Sequence, residues 1–251
     1  MGPLLERVNY VADRIGGEHP NVQVTTLAYL NTVVPPKTFG PSPNVVPWLA
    51  TDAHAWGFGD LFVWDTERSA RAMQQWHDAW QASTVVWDYP SHFGFSPYNL
   101  NLPTIADNLK WYAQRGAVGI YFQTQHNENN GFPQSYQRSW LFAKLGWDPA
   151  RNTSDLVRDF NYGFYGKAAA PMQRYDDMLH AAWGEWRKHR EEEGYTGPVD
   201  VQFAERGLAL MAEALGLAEG DEELVRRIDI ARLPLLFIRR HMSTISLRSV
   251  A

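Results

Sequence analysis

Strand-like runs stop partway along this chain, and that most limits its fold. Four short, mostly apolar runs lie before residue 124, separated by helix-length or Pro- and Gly-rich stretches, and after residue 134 only helical periodicity remains. Val22 to Leu30 begins with β-branched residues and suits a parallel strand buried on both faces. Asn44 to Ala50 is a second strand candidate, weakened by Pro47, which has no N–H to donate. Ser83 to Tyr89 is the third, closed by Pro90, and Gly116 to Gln123 the fourth. Helical spacing is expected over Leu4–Gly16, Thr66–Ala79 and Thr104–Arg115 around these strands. It is expected again over Ser135–Leu145, Ser154–Phe164, Ala168–Glu193, Val199–Leu217 and Glu222–Leu247, with Pro234 kinking or breaking the last.

Strands alternating with helices, followed by helices alone, indicate a parallel α/β unit, residues 1–134, and a helical domain, residues 135–251. The pattern fits half of an eight-stranded barrel and fits a small open sheet equally well. Either form leaves strand edges to be covered.

Composition narrows the function. A net charge of −5 gives no footprint for nucleic acid, whose binding needs clustered positive charge. The absence of cysteine removes disulfides, thiolate zinc sites and cysteine nucleophiles. No run reaches the roughly 18 apolar residues of a membrane helix, and the first residues lack the pattern of a signal peptide. His54 and His126 lack metal-ligand spacing, Gly57-Phe58-Gly59 does not lead into a phosphate-binding helix, and no Gly-x-Ser-x-Gly elbow occurs. No metal and no cofactor is expected, and no oligomeric state follows from the sequence. The marked excess is in rings: eleven Trp and eleven Tyr, whose flat apolar faces and polar edges suit sugars as well as they suit a core.

In parallel α/β folds the ligand site lies at the C-terminal ends of the strands. There the sequence places Tyr29 and Asn31, then Asp52 and His54, then Trp87, Asp88 and Tyr89, then Gln123, His126 and Glu128. Rings interleaved with hydrogen-bonding groups suit a polyhydroxylated ligand. Asp88, after an apolar strand and between two rings, is the candidate to grip a hydroxyl or serve as one of two catalytic carboxylates, with Glu128 the possible second. A backbone-capping aspartate and a solvated turn glutamate are the plain alternatives.

Several blocks together resemble a known family. They are Leu27-Ala28-Tyr29 followed by Pro35-Pro36, Val86-Trp87-Asp88-Tyr89, Ala117 to Gln123, and Ala143-Lys144-Leu145-Gly146-Trp147-Asp148-Pro149 with Tyr165-Gly166-Lys167-Ala168-Ala169 beyond it. In this order they resemble domain-of-unknown-function family 4838, whose characterised members form glycoside hydrolase family 163. The resemblance implies the C-terminal half of a TIM-like β/α barrel plus a helical domain. It also implies an endo-β-N-acetylglucosaminidase relative acting on complex N-glycans by a substrate-assisted route, in a secreted or periplasmic setting. Tyr29, Trp87, Tyr89 and Gln123 carry over as sugar contacts. The Pro-Asn-Asp segment and earlier strands of the family have no counterpart here, and the only Asp-Glu neighbours, Asp221-Glu222, lie in the helical tail. The resemblance therefore implies a fragment that is inactive alone and would hydrolyse glycans only if completed. A non-catalytic carbohydrate-binding module and an interaction domain built on the helical tail are the alternatives.

Overall fold

The computed structural model describes residues 1–50, 68–88, 102, 105–123, 135–189 and 199–248. The chain divides into two compact units, Met1–His92 with Thr104–Thr124, and Phe93–Pro103 with Gln125–Ala251. It is a mixed α/β protein in which helix predominates.

The first unit is built on a parallel sheet of four strands, β1 (Val24–Ala28), β2 (Val45–Ala50), β3 (Thr84–Asp88) and β4 (Ala117–Phe122), in the order β1-β2-β3-β4. Helix α1 (Gly2–Glu18) precedes β1, with Pro3 in its first turn, where a missing N–H costs nothing. Helices α2 (Arg68–Trp80) and α3 (Ile105–Ala113) form the β2–β3 and β3–β4 crossovers. Pro47 does not exclude β2 from the sheet interior. It pairs with Thr26 of β1, and the ladder to β3 begins only at Trp48.

Strand alternation gives the sheet two unlike faces. Ala28, Leu49, Thr84 and Val86 are buried on one. The other carries Leu27, Trp48, Trp87 and Tyr121, of which Leu27 and Tyr121 remain 49% and 44% exposed. The β3–β4 register slips after Thr84, so that Ala117 and Gly119 are paired and Val118 is skipped; this bulge accounts for a valine that is 66% exposed. Gly116 opens β4 at φ +80°, a left-handed conformation that L side chains rarely adopt.

The Pro- and Gly-rich stretch after β1 is tied down by side chains. Trp76 and Trp80 of α2 donate their indole N–H groups to the carbonyls of Val33 (2.8 Å) and Pro36 (3.2 Å). Asn9 of α1 donates to the Gly40 carbonyl and accepts from the Ser42 N–H, both at 2.9 Å. A long connection is thereby fixed by four bonds from two helices.

The second unit is helical: α4 (Ser135–Trp147), α5 (Thr153–Tyr165), α6 (Ala169–His189), α7 (Val201–Leu217) and α8 (Glu222–Arg248). Asn152 and Asp200 cap α5 and α7 by accepting from the backbone N–H groups of Asp155 and Phe203. Asp221 accepts from Leu224 N–H at the start of α8, so one member of the Asp-Glu pair noted in the sequence serves as a helix cap. Helix α8 continues through Pro234, so the proline does not break it. The core runs from Phe160 to Ile238 and draws on α5, α6, α7 and α8.

Candidate functional site

Because the four strands are parallel, their C-terminal ends share one rim of the sheet. Tyr29 follows β1 directly. Its backbone N–H and carbonyl are both bonded to the Thr32 hydroxyl, at 3.1 and 2.9 Å, which fixes the tight turn Leu30–Thr32. Asn31 sits in that turn, exposed. Trp87 and Asp88 end β3, and Gln123 extends β4 by donating its backbone N–H to the Asp88 carbonyl at 2.8 Å. Tyr89, His126, Asp52, His54 and Glu128 lie outside the described residues.

Rings and amide converge on one face of this rim. Trp87 packs edge to face against Tyr121 at 4.7 Å between centroids, and Trp48 lies 6.3 Å from each of them. These separations fall within the range of favourable ring pairs. The Trp87 indole N–H donates to the Gln123 side-chain carbonyl at 2.7 Å. That bond commits the amide oxygen of Gln123 and fixes which way its NH2 end points. Trp48 contributes a buried indole N–H with no partner among the described residues.

Asp88 faces the other way. Alternation along β3 sets it with Thr84 and Val86, and its Oδ2 accepts from the Tyr112 hydroxyl of α3 at 3.2 Å. Tyr112 is buried, and burial together with the Asp88 charge pushes its hydroxyl well above the usual phenol range. It therefore remains a donor at neutral pH. The adjacent residues Trp87 and Asp88 thus diverge: the first joins the ring cluster, and the second buttresses the sheet against a helix. Only the former shares a face with Gln123.

Trp48 and Tyr121 were absent from the sequence candidates, although a signal for both existed. Stepping back by two from Gln123 gives Tyr121, and Trp48 alternates with Val46 in the second strand. Among the described residues, no group of three or more His, Asp or Glu is placed to hold a metal, and no helix is long and apolar enough to cross a membrane.

A family described as a domain of unknown function, DUF4838, matches residues 1–177. No curated protein and no solved structure matches the chain.

Proposed function

We propose, from the premise that this chain belongs to the DUF4838 family, that it is a saccharide-binding relative of endo-β-N-acetylglucosaminidases, with the ring-lined sheet face as its sugar surface. The carrying observation is the bonded set of Trp87, Tyr121 and Gln123, with Trp48 beside them. Trp and Tyr faces stack on the C–H faces of a pyranose, and the Gln123 NH2 supplies a donor for hydroxyl or acetamide oxygens. The order β1-β2-β3-β4 with every neighbour parallel supports taking the sheet as part of a β/α barrel, since that order has no switch point. The ring face would then be the barrel's inner surface, and the substrate a complex N-glycan met outside the cytoplasm.

One observation favours binding without turnover by this chain. The four strands carry a single carboxylate, Asp88, and it faces α3. Protonation of a glycosidic oxygen needs an acid within hydrogen-bond reach of that oxygen, so Asp88 is assigned a positioning role through Tyr112.

Titrating the chain with complex biantennary N-glycans tests this. Saturable binding is expected, weakened about tenfold by Trp87→Ala, as suits the loss of one stacking ring worth about 0.5–1.5 kcal/mol together with its bond to Gln123. Asp88→Asn should leave the affinity within about threefold, a change of under 1 kcal/mol. No binding by the folded chain, or binding untouched by Trp87→Ala, would sink the proposal.

A further inference from the structure

The helical unit holds a cleft of about 230 Å3, lined by the rings of Tyr136 and Phe164, by Ile230, and by Glu223, Arg226 and Arg227. It belongs to a different unit from the sheet and does not depend on the function proposed for the sheet face. Tyr136 lies in the first turn of α4, Phe164 near the end of α5, and the other four in the first turns of α8. A volume below the roughly 300–1,000 Å3 of drug-sized sites suits a single ring with a small substituent.

The polar groups in this cleft are unequally committed. Arg227 donates from Nη1 to the Phe164 carbonyl at 2.7 Å and from Nε to Glu223 at 3.1 Å, and its guanidinium lies 4.5 Å over the Phe164 ring. Its Nε and Nη1 are thereby committed to the fold. Arg226 meets Glu223 through its side edge, Nε to Oε2 at 2.9 Å and Nη2 to Oε1 at 2.8 Å. That leaves the end edge of Arg226, formed by Nη1 and the second Nη2 hydrogen, free of acceptors among the described residues, on a side chain that is 58% exposed. Both oxygens of Glu223 are already accepting, and the two arginines hold its carboxyl down at about 2, so it stays ionised. Two guanidiniums against one carboxylate leave a net charge of +1, with donors to spare and no spare carboxylate.

We propose that this cleft binds a carboxylate carried on a six-membered ring, the carboxylate taken end-on by Arg226 and the ring laid against Tyr136. A guanidinium edge matches a carboxylate bidentately, which an ammonium cannot do. Tyr136, a residue 53% exposed, supplies a ring tilted 32° to that of Phe164 with centroids 5.6 Å apart. An exposed ion pair alone contributes little, so the ring contact must supply the rest of the affinity. The same chemistry is offered by an acidic sugar and by a free aromatic acid.

The full chain, titrated by NMR with D-glucuronate, benzoate and neutral glucose, separates these sources. Saturable millimolar binding of at least one carboxylate is expected, with none for glucose. Glucuronate alone would identify an acidic sugar, and benzoate alone an aromatic acid. Arg226→Gln should weaken the bound carboxylate at least about tenfold, and Arg226→Lys should fail to restore it because the fork is lost. Tyr136→Ala, a surface change, should weaken it without altering the fold. Absence of saturable binding for both carboxylates, equal binding of glucose, or affinity unmoved by Arg226→Gln would each overturn the proposal.

Discussion

Asp176 shows what a single residue can do to stability in this molecule. It is buried in the helical unit, and its Oδ2 accepts from Gln137 Nε2 at 2.5 Å and from Asn161 Nδ2 at 2.6 Å. Desolvation raises its carboxyl to about 6, against the lowering effect of those two donors. Between the ordinary value of 3.8 and about 6, the folded chain binds a proton at this site that the unfolded chain has released. Stability from this group is thus fully present below pH 4 and is lost as pH rises through 6. Asp176→Asn keeps an oxygen for both donors and removes the titration. Urea unfolding should show the variant gaining on the parent between pH 4 and 7, by up to about 3 kcal/mol for a shift of some two pH units; an unchanged difference across that range would refute the linkage. The sequence held a clue here, because Asp176 falls on the stripe of Met172, Tyr175 and Leu179 at helical spacing. What no sequence pattern shows is that Gln137 and Asn161, from two other helices, arrive at the same oxygen. Asp88 teaches the converse. Its strand end and, by alternation, its face were legible, but its partner Tyr112, 24 residues away, was not.

At the scale of elements, the four strands, their order of appearance and the all-helical remainder follow from periodicity, because runs of period two and of 3.6 demand different backbones. At Pro47 and Pro234 alike, tertiary burial outweighs a local penalty. A proline inside a helix costs about 3 kcal/mol. Along α8, Ile228, Leu235 and Ile238 are buried within the helical core, each worth about 1.5–3 kcal/mol, and breaking the helix at Pro234 would forfeit that register. The α7–α8 contact depends on Gly207, where an added Cβ would stand 2.7 and 2.9 Å from the methyl carbons of Leu235. Leu235 is itself fully buried and has nowhere to swing. Gly207→Leu should therefore destabilise the helical unit by at least about 1–3 kcal/mol in chemical unfolding, outweighing the gain of about 1 kcal/mol from removing a helical glycine. A stabilised variant would show that the two helices are free to part.

For the whole molecule the question is which unit can stand alone. The helical unit has a core made from its own helices, and α7 and α8 are capped by Asp200 and Asp221. The sheet unit is in a different position. Among the described residues β1 and β4 each have one strand neighbour, and the face bearing Trp48, Trp87 and Tyr121 still exposes Leu27 and Tyr121. A parallel sheet is ordinarily covered on both faces, and open edges recruit further strands. Separate expression of residues 135–251 should give a monomer with a helical far-ultraviolet signal and one cooperative thermal transition. Residues 1–134 should self-associate in sedimentation at concentrations where the helical piece does not. The opposite pairing, a monomeric sheet piece beside an unfolded helical one, would mean that the exposed face needs no cover and that the helices fold only with help. The expected pairing would agree with a sheet whose ring-lined face and edges belong to a larger closed structure, and would leave the helical unit able to carry its own ligand cleft.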